Sequence, residues 1–370
     1  MESNNSPTRK RKTRLLLLAI AGTLLFLLLP AIYYAELRPV EAQVAVAVAN
    51  TATSGTVVVY TSFTDGEYPI FLEAFNAEYP DIKIIPSRAS APKVEKRILT
   101  EGNSTPVEVI WGLPAVNMMF IKWNGLLKSY PSVNLSQIRP GFRDADTPPD
   151  WIGMEARLSA FCVNTTRLEE LNLPVPTSWQ DLIDPMYKGH VVMSDPTKSA
   201  TGYGVISTAL GLYGRTEGWE YIRKLDQNMG AYSRNGKVGC EWIAEGKYLI
   251  AISRAFLGLK LQADGKPIAT IFPEEPSGWA MATVGLVKKP QINPAAETFA
   301  KWAVSDSAMA EYAKVRAVTS IPTDAPPQPG YPENVEAQLL NQNSPWMAAN
   351  RRRLIRKWDE EFGEEALAED

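Results

Sequence analysis

The chain has 370 residues, enough for two domain-sized units or for one fold with two lobes. Apolar residues make up 45% of it, which is sufficient for a buried core, and its net charge of −3 excludes non-specific nucleic-acid binding through a basic surface. His190 is the only histidine and no nucleophile–base pair is visible, so an enzyme is not expected.

The first 35 residues combine a basic stretch with an apolar one. Basic residues at positions 9–14 precede the apolar run 15–29, and Tyr33 and Tyr34 follow. This pattern is typical of an export signal, and the run is also long enough to span a bilayer. Residues 1–35 are therefore predicted to be a signal peptide or an N-terminal membrane anchor, with the body in the periplasm or cell envelope. Residues 36–55 are interpreted as a linker.

The body opens with a β-α-β pattern. A buried strand is predicted over residues 56–60, an amphipathic helix over 69–79, a strand over 82–85, a helix over 94–100 and a strand over 107–111. In open α/β sheets, ligands gather outside the carboxyl ends of the strands. The residues expected on that rim are Ser62, Arg88, Ser90 and Trp111.

A strand-to-helix loop rich in small hydroxyl residues lies further along the chain. A predicted strand, 191–193, precedes the loop 194–204, where a helix begins. A helix start carries free N–H groups and a partial positive charge, so it can hold an anion, although Ser and Thr are also ordinary helix caps. A second polar turn, 232–239, precedes a helix around 240–244. The candidate ligand-binding residues on these two turns are Ser199, Thr201, Gly202, Ser233 and Asn235.

Cys162 and Cys240 are the only cysteines, and their separation does not match a metal motif. They can pair as one disulfide if the protein is exported, whereas two buried thiols are the default in the cytosol. Both alternatives stay open at this point.

The C-terminal part returns to strand and then helix. A strand is predicted over 284–287 and helices over 294–303 and 307–317, and the last helix is predicted to begin with Ser344 as its cap. The basic residues of that last helix form a solvated face or, as the alternative, a surface that binds a membrane.

Several motifs together resemble the class II periplasmic binding proteins of ABC importers, over about residues 56–325. The branch with the greatest likeness is the iron, phosphonate and sugar-phosphate group, especially its 2-aminoethylphosphonate binders. The motifs that carry the resemblance are at residues 109–113, 151–154, 176–179, 194–196 with 199–202, 218–221, and 272–273 with 278–279.

The resemblance implies an α/β, two-lobed periplasmic binding protein-like II fold, in which each lobe is a mixed sheet flanked by helices and hinge strands join the lobes. Lobe 1 is expected to comprise residues 56–159 and 273–370, and lobe 2 residues 160–272. Closure of the cleft would trap the ligand. The implied partners are a small ligand, an ABC permease and its ATPase. The protein itself is expected to be a monomer that needs no cofactor and meets the membrane only through an uncleaved N-terminal segment.

The chain departs from that group at two places. Ferric members carry adjacent tyrosines where this chain has Ser-Arg-Ala-Phe at 253–256, and Phe offers no oxygen to Fe(III). 2-Aminoethylphosphonate binders carry Gly-Trp-Asp-x-Glu where this chain has Gly-Trp-Ala-Met-Ala at 278–282. Arg254 is a candidate ligand-binding cation, unless it points to solvent. Trp279 and Trp111 are expected to be apolar walls.

These observations predict a solute-binding protein of an ABC transporter that captures a small anion in the interlobe cleft. The ligand is expected to be a phosphonate or phosphate ester that lacks an amine. A ferric-iron-binding transport protein and a membrane-tethered ligand sensor on the same fold are the alternatives.

Overall fold

The computed structural model describes residues 54–130, 133–325 and 329–363. Within these ranges, no helix combines the length and the apolar character needed to cross a membrane. The predicted signal peptide or anchor, residues 1–35, and nearly all of the linker lie outside the described residues, so both stay predictions.

Eleven strands of the described chain form one mixed sheet, and the α/β fold class is confirmed. The strands are β1 (Gly55–Thr61), β2 (Ile82–Arg88), β3 (Val109–Pro114), β4 (Leu127–Lys128), β5 (Trp151–Val163), β6 (Val191–Ser194), β7 (Met229–Ser233), β8 (Ile250–Arg254), β9 (Ala269–Ile271), β10 (Trp279–Val287) and β11 (Val318–Thr319). Their order is β2-β1-β3-β10-β5-β8-β6-β7, with β4 on β10 and with β9 and β11 on β5.

Strand β5 is common to the two parts of this sheet. Its residues 151–158 pair with β10, and residues 159–163 pair with β8. We call β1–β4, β10, β11 and the start of β5 the first sheet half, and β6–β9 with the end of β5 the second sheet half. The sequence pattern predicts two extended segments here. The structure has one 13-residue strand, because Glu155 and Arg157 in its middle are buried as an ion pair.

Parallel pairing brings strand ends together within each sheet half. β1 is parallel to β2 and β3, and β6 is parallel to β7 and β8. The carboxyl ends of each set therefore lie at one edge of the sheet, which is where ligands bind in open α/β folds.

The helices follow the predicted apolar periodicity. They are α1 (Tyr68–Glu78), α2 (Ala91–Glu101), α3 (Ala115–Trp123), α4 (Thr165–Glu170), α5 (Ala200–Tyr213), α6 (Arg215–Asp226), α7 (Val238–Ala244), α8 (Ala255–Ala263), α9 (Pro294–Trp302), α10 (Asp306–Ala313) and α11 (Ser344–Phe362). The cap of α11 is Asn343, whose side chain accepts a hydrogen bond from the Trp346 N–H, so the prediction of a Ser344 cap was wrong. Asn343 takes this role because a cap precedes the first helical residue.

Trp111 belongs to the aromatic core of the first sheet half. It is fully buried, and its indole N–H donates a hydrogen bond of 3.0 Å to the Tyr312 hydroxyl. Its ring contacts Phe71 of α1 and Phe299 of α9, with centroids 6.1 and 5.4 Å away. The prediction that Trp111 stands on the ligand rim was wrong, because its side chain points from the sheet into the flanking helices.

Cys162 and Cys240 form a disulfide, so the paired alternative is confirmed. Cys162 lies on β5 and Cys240 on α7, and both are buried. The bond therefore ties the helix that follows the turn 232–239 to the strand shared by the two sheet halves.

Helix α11 packs on the second sheet half. Leu354, Trp358 and Phe362 belong to the hydrophobic core of that half, and the Trp358 ring lies 5.3 Å from that of Tyr232. The expected lobe boundaries, which assign this helix to lobe 1, stay a prediction.

Candidate ligand-binding site

The ends of β1 and β2 place three of the predicted residues side by side. The Ser62 hydroxyl donates to the Gly112 carbonyl at 2.5 Å, and Arg88 Nε donates to the Phe63 carbonyl at 3.3 Å. Ser90 precedes the first turn of α2, but its side chain makes no capping hydrogen bond. Ser62 and Arg88 therefore lie at one edge of the first sheet half, and contact with a ligand stays a prediction for them and for Ser90.

Gly112 lets this rim pack closely. Its φ is +78°, and a Cβ at this position would lie 2.4 Å from the nearest atom of the Phe63 ring. Only glycine can adopt this positive φ and also allow the Phe63 ring to lie so close to the backbone. The Gly112 carbonyl is thereby held where both Ser62 and Arg157 Nη2 donate to it, the latter at 3.2 Å.

The two hydroxyl-rich turns of the second sheet half meet each other. Ser199 caps α5, and its hydroxyl accepts from the Thr201 N–H at 3.1 Å. A Cβ on Gly236 would lie 2.6 Å from Thr201 Oγ1 and 2.8 Å from Ser199 Oγ. The helix start and the turn 232–239 therefore share one surface, as the parallel pairing of β6 and β7 requires.

The remaining predicted residues of these turns have local roles. A Cβ on Gly202 would lie 2.1 Å from the Ser194 carbonyl oxygen, so the first turn of α5 needs a glycine to pack on the end of β6. The Ser233 hydroxyl donates to the Asn235 carbonyl at 3.0 Å, and the Asn235 side chain accepts from the Lys237 N–H at 3.3 Å. Both residues shape the turn, and contact with a ligand stays a prediction for them.

Arg254 ends β8 beside these turns. Its neighbour Ser253 donates to the Gly236 carbonyl at 3.3 Å. The Nε of Arg254 is buried and has no hydrogen-bond partner among the described residues, and its guanidinium lies 5.2 Å from the Phe256 ring centroid. Burial lowers the pKa of Arg254 to about 10, although the charge of Glu67 opposes this shift. The cation is therefore incompletely compensated within the described protein.

Four buried charged residues lie near Arg254, and they are not among the residues predicted for the site. Glu155 on β5 accepts from Arg157 Nε at 2.7 Å and from Arg316 Nε at 2.9 Å. Arg316 also pairs with Glu67, whose other carboxylate oxygen accepts from the Thr64 N–H. We call Glu67, Glu155, Arg157, Arg254 and Arg316 the charge cluster.

The charge cluster carries one excess positive charge, because it contains three arginines and two glutamates. Burial raises the pKa of Glu67, but the guanidinium groups of Arg316 and Arg157 outweigh burial and hold that pKa well below its usual range. Both carboxylates are already engaged by arginines. An anion would complete the charge balance, whereas a cation would not.

Trp279 lies on the opposite face of the sheet from the charge cluster. Ala280 is opposite Arg157 in the β10–β5 register, and neighbouring residues of a strand point to opposite faces. The Trp279 ring stacks on Phe142, with centroids 5.5 Å apart, and lines a separate cavity of about 830 Å³. The structure therefore does not bring Trp279 together with Arg254.

Three carboxylates outside the site have metal-like spacing. Oxygen atoms of Asp144, Asp146 and Asp150 lie within 4.8 Å of one another. Lys122 Nζ sits among them, 2.5 Å from Asp144 and 2.7 Å from Asp146. The ammonium group supplies the positive charge that a metal ion would bring, so this group is an ion-pair network that secures α3 to the segment 144–150.

A family model described as bacterial extracellular solute-binding protein matches residues 114–345, which is more than half of the chain. The chain belongs to this family. A bacterial extracellular solute-binding protein of the ABC importer type binds a small solute and delivers it to a membrane permease, and neither the family nor its structural neighbours are enzymes. The expectation that the chain is not an enzyme is therefore confirmed.

Two relatives match this chain in sequence. A Haemophilus influenzae protein described as uncharacterized is 26% identical over 325 residues, covering 85% of this chain and 93% of that protein. The Fe(3+)-binding periplasmic protein of Serratia marcescens is 24% identical over 182 residues, covering 49% of this solute-binding protein and 52% of its own length.

Solved structures share the two-lobed fold of periplasmic binding proteins. AfuA from Actinobacillus pleuropneumoniae, with exogenous fructose-6-phosphate bound, has a TM-score of 0.75 and 26% identity, covering 83% of this chain and 99% of that one. Iron-bound HitA from Pseudomonas aeruginosa has a TM-score of 0.70 and 17% identity, covering 82% of this solute-binding protein and 98% of HitA.

Proposed function

We propose that this solute-binding protein captures a small anion carrying a phosphate or phosphonate group, in a cleft between two lobes. Lobe 1 would comprise residues 56–159 and 273–370 apart from helix α11. Lobe 2 would comprise residues 160–272 together with that helix, because its apolar side chains belong to the core of the second sheet half. Strand β5 and the segment between β9 and β10 would be the hinge, because they connect the two sheet halves. The ABC permease and its ATPase would receive the ligand.

The observation that carries this proposal is the incomplete compensation of Arg254. Arg254 is half-buried, its Nε is shielded from solvent without a hydrogen-bond partner among the described residues, and the charged side chains around it leave an excess positive charge. An anion that accepts hydrogen bonds from its guanidinium offsets the cost of this arrangement. The start of α5 adds free N–H groups and the positive end of a helix dipole nearby. Hydroxyl groups of Ser199 and Thr201 supply further neutral donors.

The ligand is proposed to lack an amine. An ammonium group needs an unpaired carboxylate, and both carboxylates of the charge cluster are held by arginines. Ala280 and Ala282 stand where 2-aminoethylphosphonate binders carry acidic residues. The fructose-6-phosphate in the AfuA structure makes a sugar phosphate the first compound to test.

Ferric iron is the second candidate, since relatives named for iron binding match both sequence and fold. The local chemistry argues against it. The Phe256 ring lies near two guanidinium groups, those of Arg316 and Arg254, which are 3.8 Å and 5.2 Å from its centroid, and it has no oxygen. Tyr331 lies near the same charges, but burial raises its pKa to about 12, which disfavours the tyrosinate that Fe(III) requires.

Isothermal titration calorimetry of the purified protein tests the proposal. The titrants are fructose-6-phosphate, 2-aminoethylphosphonate, methylphosphonate and ferric citrate. We expect tighter binding of a phosphate ester or amine-free phosphonate than of ferric citrate. Arg254→Gln should weaken that binding at least 30-fold, since a charge-assisted hydrogen bond contributes about 2 kcal/mol or more. The matched control is Arg353→Gln, an exposed arginine of α11.

Two results would contradict the proposal. Tight binding of ferric citrate without affinity for any phosphorus compound would favour iron transport. Micromolar binding of 2-aminoethylphosphonate without binding of methylphosphonate would show that the amine is recognised. A sensor role on the same fold would be favoured if ligand binding were normal but transport by the cognate permease did not depend on this protein.

A further inference from the structure

Helix α11 is attached firmly to the second sheet half. The Tyr203 hydroxyl of α5 donates to the Met347 carbonyl at 2.7 Å. Trp358 is fully buried in the core of that half. Arg223 of α6 pairs with Glu361 at 3.0 Å. We infer that the helix moves with the second sheet half in a hinge motion, because its apolar side chains are buried in the core of that half, although it also packs along α3.

One face of the same helix reaches the first sheet half through charged groups. Arg351 pairs with Glu95 on α2, and the side chains are only 11% and 8% exposed. The Asn117 side chain of α3 donates to the other Glu95 oxygen at 2.7 Å. Arg352 lies over the Phe120 ring, 4.3 Å from its centroid. A largely buried ion pair and the polar and aromatic contacts beside it therefore connect α11 to α2 and α3.

The boundary beside this ion pair is loosely packed. A cavity of about 60 Å³ separates Pro92 and Asn117 from the loop before α5. Thr197 Oγ1 and Asn117 Oδ1 are buried there without hydrogen-bond partners among the described residues. A cavity of this size admits water, so these two atoms contribute little to holding the boundary closed. The Arg351–Glu95 ion pair crosses the same boundary.

We propose that Arg351 and Glu95 form a latch that holds the two sheet halves together and sets the balance between closed and open protein. Opening carries Arg351 away with α11, and both charges then become hydrated. In the closed state, removing one partner leaves the other charge buried and uncompensated, which is much more costly than in the open state. Loss of either residue therefore shifts the population towards the open state.

This inference rests on the interlobe binding proposed above but not on the charge of the ligand. Its test is the distance between spin labels on Glu73 of α1 and Lys224 of α6, both exposed, measured by pulsed electron spin resonance without ligand. Labels on unnatural amino acids leave the disulfide intact. We expect a mainly short distance in the wild type, and at least a tenfold rise in the ratio of long to short distances for Arg351→Gln and Glu95→Gln.

The exchanged pair, Glu95→Arg with Arg351→Glu, keeps both charges and should restore the short distance at least in part. Arg353→Gln, on the exposed side of the same helix, should leave the distribution unchanged. If one single variant does not fold, the distance distributions of the other single variant and of the exchanged pair are compared with that of the wild type instead. Identical distributions for the wild type and both single variants would overturn the latch. Failure to bind phosphate esters would refute only the proposed ligand, because the distance measurement contains none.

Discussion

Removing the Cys162–Cys240 disulfide should lower the free energy of unfolding by an amount that depends on the length of the loop that the bond closes. The bond joins residues 78 apart in sequence. The chain-entropy relation then gives a loss of about 4 to 5 kcal/mol at 25 °C when the unfolded chain is released from this loop. Reduction is a cleaner perturbation than substitution, because both sulfur atoms stay in a core where the cysteines are at most 1% exposed.

The measurement is urea unfolding of the protein with and without reductant, each after equilibration. For a slope near 3 kcal/mol per molar urea, the midpoint should fall by about 1.5 M. The slope itself should rise slightly, because the reduced unfolded chain is less compact. A Cys162→Ala and Cys240→Ala pair should show at least as large a loss, since it also leaves a cavity. A midpoint shift below about 0.3 M with complete reduction would refute the entropic reasoning.

Three further predictions concern charge, turn contact and core. The free energy of unfolding that the ionised Glu67 contributes is present at neutral pH. It should be lost as the pH falls below about 4.5, towards the depressed pKa of Glu67 in the folded state. An acid titration of Arg316→Met should show a smaller loss of stability over the same pH range. Gly236→Ala should weaken ligand affinity in calorimetry while changing the melting temperature little, because its Cβ would press on the α5 start. Trp358→Ala should cost about 3 to 5 kcal/mol in urea unfolding, as for other buried aromatic residues.

Local patterns were sufficient for most of the fold. The apolar spacing on α6 predicts the buried face that contains Trp219, Ile222 and Leu225, because helix periodicity is a short-range property. Strand β5 was harder. Glu155 and Arg157 interrupt its apolar pattern, and nothing local indicates that Arg316, some 160 positions away, makes their burial possible.

The position of a candidate site residue could be predicted only where it follows from the order and direction of the strands. Parallel strands leave their carboxyl ends at one edge, so Ser62 and Arg88 could be placed at the edge of the first sheet half from sequence, and the two hydroxyl-rich turns at the edge of the second. The alternation Glu155-x-Arg157 within an apolar strand was an available signal for a buried ion pair, since residues two apart share a face. Trp279 was predicted to line the site, but its side chain lies on the opposite face of the sheet from Arg157. The face that a residue of β10 occupies could not be assigned from sequence, because it depends on the register of β10 on β5.

Charge distinguishes the two ligand classes that the relatives leave open. At an effective dielectric constant near 20, one unit charge about 5 Å from the excess positive charge contributes about 3 kcal/mol. A dianionic phosphate ester would gain about twice that before its desolvation is counted, whereas a ferric ion would lose about three times that unless several anionic ligands came with it. Because both glutamates of the charge cluster are committed to arginines, those anions would have to be brought by the solute itself. The same cluster on the same fold would therefore accept iron only as an anionic chelate, and free phosphate esters remain the simpler match to the charge around Arg254.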